Sequence, residues 1–197
     1  MGGKTALIIG ATGLVGKELT DKILSTDDYS QINILTRRAT DYEDTRIKEI
    51  IVDFDNMVSV ADQLGADDVY CCIGTTIKKA GSKEKFVKID YDYPLEIARL
   101  TQASGQMKKY LIVTAIGANP ESSIFYNEVK GKLEEDLKKL DLDSLHIFRP
   151  SLLLGDRKEF RFWESVAKVL SAVLSFFLIG SEKKIWAIEG RQVAAAD

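Results

Sequence analysis

Apolar positions along the chain gather into short apolar-rich runs, with amphipathic stretches standing between them. Runs at 5–9, 31–36, 47–52, 68–73, 110–114 and 144–148 have the length of buried strands. The stretches 13–24, 56–64, 86–103 and 124–140 predict helices. Val15, Leu19 and Ile23 recur at helical spacing in the first of these. Val129, Leu133, Leu137 and Leu140 form an apolar stripe in the last. Pro94 interrupts the third and predicts an irregularity there. A stretch with Lys and Gly at 78–83 predicts a loop. Parallel neighbours need helical crossovers, so strands that alternate with helices predict an α/β fold with a doubly wound parallel sheet.

Composition narrows the picture. A length of 197 residues predicts one domain over 1–197, with a small C-terminal substrate or interaction segment from about 151. The closing run 192–197 reads as the opening of a helix, so the chain is expected to be truncated there. A net charge of −3 lacks the basic excess of a nucleic-acid binder. Cys71 and Cys72 are adjacent, which suits neither a metal site nor a structural disulfide, and predicts buried free thiols in a reducing compartment. His146 is the only histidine. A Ser-His-Asp triad or a His-based metal site is therefore not expected, and His146 reads as a core residue of the sixth run.

Met1-Gly2-Gly3-Lys4 leads straight into the first run without the apolar region of a signal peptide, which predicts a cytoplasmic protein. The most apolar stretch, 166–180, is shorter than the roughly 20 residues of a membrane span. Ser165, Lys168, Ser171 and Ser175 form a polar stripe opposite Val166, Val169, Leu170, Val173, Leu174 and Phe177. This predicts a helix packed on the domain. A homodimer face, a protein-partner contact or a membrane-surface contact through 165–179 is the alternative.

The first strand runs into Gly10-Ala11-Thr12-Gly13-Leu14-Val15-Gly16. A glycine-rich turn between strand and helix is the setting of a dinucleotide site. Glycine permits the tight turn, and a missing side chain lets backbone approach a pyrophosphate at the helix N-terminus. Gly10, Thr12, Gly13, Leu14, Val15 and Gly16 are the expected phosphate-side residues. With this turn the predicted fold becomes an NAD(P)-binding Rossmann fold. The second strand ends at Thr36-Arg37-Arg38, where an NAD-specific site carries an acid for the ribose hydroxyl. Guanidinium groups make forked bonds to phosphate, so Arg37 and Arg38 predict NADP(H) in preference to NAD(H). Two solvated surface arginines are the plainer reading. Asp53 and Phe54 are expected beside the adenine, and Gly74 and Thr75 on the path to the nicotinamide.

Tyr126-Asn127-Glu128-Val129-Lys130 places Tyr126 and Lys130 four residues apart, on one face of a helix. A free phenol ionises near pH 10 and is a poor acid or base at neutrality. A neighbouring ammonium favours the phenolate, so Lys130 is expected to lower the Tyr126 pKa. Tyr126 would then exchange a proton with a carbonyl oxygen while hydride moves to or from carbon. Lys130 is also expected to hold the nicotinamide ribose.

Together these residues resemble the short-chain dehydrogenase/reductase superfamily, most of all the atypical branch of Tat-interacting-protein oxidoreductases and their bacterial relatives. Such proteins are often labelled NAD-dependent epimerase-like. The likeness is carried by the 10–16 turn, Cys72-Ile73-Gly74-Thr75-Thr76, Lys79-Ala80-Gly81, Gly117-Ala118, Tyr126 with Lys130-Gly131, and Phe148-Arg149-Pro150-Ser151 with Asp156-Arg157. It implies catalytic positions for Tyr126 and Lys130 and a nicotinamide packed against the chain from Pro150 onward. It also implies a Ser or Thr after the fifth strand that hydrogen-bonds the substrate carbonyl. Thr114 fits that role, Ala115 stands where a second serine is common, and Ser122 or Ser123 are substitutes. The asparagine of the superfamily's proton relay is absent, and Asp90 lies near its place. The expected function is an oxidoreductase acting on a small-molecule carbonyl or alcohol. One alternative is an NADPH-holding redox sensor or partner-binding protein with little catalysis. Another is a nucleotide-sugar epimerase-like enzyme, for which the segment after Pro150 is short.

Overall fold

A computed structural model describes residues 3–150 and a strand at 186–189. Its frame is a sheet of seven parallel strands in the order β3-β2-β1-β4-β5-β6-β7. The strands are β1 (Lys4–Ile9), β2 (Tyr29–Thr36), β3 (Ile47–Ile51), β4 (Asp68–Cys71), β5 (Lys109–Val113), β6 (Leu145–Arg149) and β7 (Trp186–Glu189). Helices α1 (Leu14–Leu24), α2 (Ile77–Ala80), α3 (Lys83–Val87), α4 (Tyr93–Ala103) and α5 (Phe125–Lys138) make or extend the crossovers. All six runs read as strands are strands.

Alternation along β1 explains the two-sided core. Ala6 and Ile8 pack with Val15, Leu19 and Ile23 of α1. Leu7 and Ile9 point to the other face and pack in the cluster that holds Leu95, Ile97 and Ala98 of α4 and Leu133 and Leu137 of α5. A strand covered on both faces favours apolar residues at every position, which is why 6–9 reads as a continuous apolar run. Arg46 secures the end of α1, donating to the Leu24 and Thr26 carbonyls at 2.6 Å each while Asp44 holds its Nε at 3.0 Å. These are carbonyls that the helix leaves without partners.

The structure refines these expectations locally. The 78–83 loop contains the short helix α2, capped by the Thr76 hydroxyl and stopped by Gly81 at φ +83°. The 56–64 helix is a 3₁₀ segment over Phe54–Gln63, broken at Asn56. The single helix at 86–103 is α3, a π-helical turn over Lys88–Asp92, and α4. Val87, Lys88, Asp92 and Tyr93 are all in the right-handed helical region, so the backbone stays helical into α4, and the π-turn directly before Pro94 is the irregularity that the proline predicts. Strand β7, paired in parallel with β6 from His146↔Trp186 to Arg149↔Glu189, was not foreseen. Ser151, Asp156-Arg157, the 165–179 stripe and the closing run 192–197 lie outside the described residues.

Cys71 and Cys72 are free, and burial pushes both thiols up. His146 is buried in β6 with its Nε2 2.8 Å from the Ser144 hydroxyl. At the start of the strands, the Tyr29 hydroxyl donates to Asp68 at 2.7 Å and stands 2.7 Å from the Tyr70 hydroxyl. That polar cluster ties the opposite end of the sheet from the candidate site.

Candidate functional site

The chain leaves β1 toward β2 and β3 on one side, and β4 to β7 build outward on the other. At such a switch point the loops after neighbouring strands diverge and leave a crevice. The glycine turn lies there. Gly10 adopts φ +85°, and a Cβ on it would stand 2.8 Å from the Cys72 carbonyl carbon and oxygen. A Cβ on Gly16 would stand 2.0 Å from the Gly10 carbonyl oxygen, so only glycine lets α1 start against the turn. Gly13 donates its N–H to the same oxygen at 2.9 Å. Gly13 is also the N-cap of α1, with no side-chain cap and no acid in the first turn. The first N–H groups of α1 thus face outward without an intrahelical acceptor, beside the exposed Thr12 and Leu14, while Val15 and Gly16 are buried. This backbone cradle fits a pyrophosphate in shape and charge.

Arg37 and Arg38, just past β2, are exposed, and neither makes an ion pair among the described residues. The Thr36 hydroxyl donates to the Arg38 carbonyl at 2.8 Å and fixes this turn. Asp53 and Phe54 stand just past β3. The Asp53 carboxylate accepts the Asp55 N–H at 3.0 Å and caps the 3₁₀ segment. The Phe54 ring is buried in the core with its centroid 5.4 Å from that of Tyr93. Apolar burial claims this ring, so it does not present itself as an adenine platform.

Gly74 and Thr75 follow β4 and meet α5. A Cβ on Gly74 would stand 3.3 Å from Asp90 Oδ1 and 3.8 Å from Lys130 Nζ. Asp90 Oδ1 pairs with Lys130 Nζ at 2.7 Å, and Asp90 Oδ2 accepts the Thr75 N–H at 2.9 Å. Burial raises the Asp90 pKa, opposed by Lys130 and by the Thr75 N–H. Tyr126 is half-buried one turn before Lys130, its ring centroid 5.5 Å from that of Phe86. Its pKa moves up, against the sequence expectation. Burial is the largest cause, Lys130 opposes it, and Asp90 adds to it. Lys130 does pull the phenol toward ionisation, but its charge is shared with a carboxylate that the sequence had not paired with it.

Thr114 departs most from its expected role. Its hydroxyl is buried and donates to Glu134 Oε1 at 2.6 Å. Arg149, at the end of β6, grips the same carboxylate through Nε at 3.1 Å to each oxygen and through Nη2. A carboxylate is the stronger acceptor, so the threonine proton serves the α5 interface and is not aimed at a carbonyl in the crevice. Ser122 accepts the Ile124 N–H at 3.1 Å just before α5, and Ser123 is exposed beside it. The Pro150 carbonyl accepts the Ile116 N–H at 3.0 Å, joining the ends of β5 and β6. Glu134 went unread, although Tyr126, Lys130 and Glu134 recur every four residues and mark one polar stripe on α5. Among the described residues no group of three or more His, Cys, Asp or Glu could hold a metal ion, and no helix is long and apolar enough to cross a membrane.

The family model described as HIM1 matches residues 31–179. Protein HTATIP2 of Rattus norvegicus is 37% identical over 172 residues, covering 85% of this chain and 70% of that protein. Protein FMP52, mitochondrial, of Candida albicans is 37% identical over 160 residues, covering 79% of this chain and 69% of that protein. The solved structure of MoeE5 in complex with UDP-glucuronic acid and NAD superposes with a TM-score of 0.71 at 11% identity, covering 95% of this chain and 76% of that one. At that identity the likeness is one of fold. The cytoplasmic expectation is corrected here: FMP52 relatives from Candida albicans, Scheffersomyces stipitis, Debaryomyces hansenii and Candida glabrata are named mitochondrial, which points away from the cytoplasm. By the extent of the family match and the identity to its relatives, the chain belongs to the HIM1 family, within the atypical short-chain dehydrogenase/reductase superfamily.

Proposed function

We propose that this chain is an NADP(H)-dependent oxidoreductase that acts on the carbonyl or alcohol group of a small molecule. The observation that carries the reading is the meeting of the Tyr126–Lys130 face of α5 with Gly74, on the strand edge that also holds the glycine turn. A nicotinamide bound at this edge would supply the chemistry of hydride transfer. Gly10, Gly13, Gly16 and the first N–H groups of α1, with Thr12, Leu14 and Val15 around them, would hold the pyrophosphate. Arg37 and Arg38 would take a 2′-phosphate, and Asp53 would meet the adenosine end through its backbone and exposed edge. Gly74, Thr75, Lys130 and Pro150 would line the nicotinamide end. In reduction, the Tyr126 O–H bond breaks, its proton passes to the carbonyl oxygen as carbon gains hydride, and solvent reprotonates the phenolate. We further propose that residues 1–197 act as one domain, in which the segment from about 151 serves substrate binding or interaction.

The NADPH-holding sensor or partner-binding protein is favoured by one observation. The Thr114 hydroxyl, just past β5, is committed to Glu134 and is not offered to a substrate carbonyl. One experiment separates the readings. NADPH and NADH are titrated by calorimetry against the protein and its Tyr126→Phe variant, and single-turnover oxidation of NADPH is followed with a panel of aldehydes and ketones. The enzyme reading expects equal NADPH affinity in both proteins and a loss of at least about 100-fold in rate in the variant. Tight NADPH binding with no oxidation by the unaltered protein supports the sensor.

A further inference from the structure

The Asp90–Lys130 pair is buried almost completely, with side-chain exposures of 1% and 3%. Taking two charges out of water costs more than packing two apolar side chains of the same size, so stability does not account for a pair at this place. The surroundings do. Asp90 stands on the π-helical turn Lys88–Asp92, a local distortion often found at functional sites. One carboxylate oxygen fixes the Thr75 N–H and the other the Lys130 ammonium, 2.7 Å away and one helical turn from Tyr126.

We propose that Asp90 is a positioning residue that holds Lys130 beside Gly74 and offsets part of the field of its ammonium at Tyr126, so that Tyr126 rests as the neutral phenol. The proposal rests on the reading of Tyr126 as the proton donor. Opposite charges at contact distance act on a third group as a dipole, whose field falls faster with distance than that of a lone charge. The other groups around Tyr126 do not restore the lost field. Phe86 of α3 brings only a ring, and Lys83 lies over the neighbouring Phe125 ring at 4.9 Å. Cys71 of β4 lies beside the pair, and burial pushes its thiol up, so it is uncharged near neutrality. Glu134, one turn further along α5, is closed by Arg149 and Thr114. Burial drives the Tyr126 pKa up, Lys130 opposes it, and Asp90, with the smaller effect of the two charges, offsets part of that pull. A neutral phenol is the form needed to give a proton to a carbonyl oxygen.

The test reads Tyr126 ionisation as the ultraviolet tyrosinate signal of each protein minus that of the same protein carrying Tyr126→Phe. Asp90→Asn keeps an acceptor for the Thr75 N–H and removes the charge. Its midpoint is expected to fall by at least about one pH unit, a tenfold gain in acidity. Lys130→Met is expected to raise the midpoint. Asp90→Asn with Lys130→Met leaves no lone buried charge, and is expected to return the midpoint to within about half a unit of the unaltered protein. An Asp90→Asn midpoint equal to or above that of the unaltered protein overturns the proposal. Should Asp90→Asn not fold, a rise of about one unit or more in the double variant overturns it, because Lys130 would then act on Tyr126 almost unopposed in the native site. A midpoint that ignores Lys130→Met overturns the Tyr126–Lys130 reading itself and the proposal with it.

Discussion

The hydroxyl of Thr114 donates to Oε1 of Glu134 at 2.6 Å, across the seam between the end of β5 and α5. Arg149 closes on the same carboxylate from the end of β6. Three elements at the edge that carries the crevice are therefore joined through one buried acid, and α5 is held there with Tyr126 and Lys130 on it.

Thr114→Val tests that assignment. The variant removes one hydrogen bond to a charged acceptor and leaves Arg149 in place. It is expected to lose about 1–2 kcal/mol of stability, read from the urea midpoint. NADPH affinity is expected to stay within about twofold, well under the tenfold that 1.4 kcal/mol represents. Full stability combined with lost turnover would return Thr114 to the substrate.

Gly16→Ala would put its new methyl 2.0 Å from the Gly10 carbonyl oxygen, where backbone must move. Helix α1 would be pushed off the turn, and NADPH affinity is expected to fall at least about tenfold by calorimetry. Gly131→Ala is the companion variant, with its Cβ 2.2 Å from backbone at Asn119 and Pro120, away from the glycine turn. It is expected to lose about 1–3 kcal/mol in urea while the turn keeps its shape.

Arg37→Ala with Arg38→Ala tests cofactor choice. Charge-assisted bonds to phosphate contribute about 1.5–3 kcal/mol each. The double variant is expected to lose at least about tenfold in NADPH affinity and to keep its NADH affinity. A parallel loss for both nucleotides would assign the arginines to the fold.

His146 gives a pH dependence of stability. Burial, then Lys109, lowers its pKa from 6.5 to about 4. The unfolded chain therefore takes up a proton that the folded one refuses as pH falls below 6.5. The stability present above that pH declines between 6.5 and 4, by up to about 3 kcal/mol. Urea midpoints from about pH 8 to about pH 4 should show this decline, and His146→Gln should flatten it. Superimposable curves for the two proteins would exclude His146 as the source.

The sequence by itself determined the elements and their order. A strand buried on both faces is mostly apolar, a helix packed on a sheet must show its stripe, and a turn that admits a phosphate must lack side chains. Each requirement is local, so the six strands, α1, α5 and the Gly10–Gly16 turn were legible, as was the four-residue spacing of Tyr126 and Lys130. The tertiary structure alone decided which charges meet. Asp90 and Lys130 lie 40 positions apart, Thr114 and Glu134 are 20 apart, and β7 gains its partner only by lying beside β6. Buried charges find partners through space rather than along the chain, because removal from water, not sequence spacing, is what requires the pairing. A motif therefore gave the positions of Tyr126 and Lys130, and packing set their electrostatics.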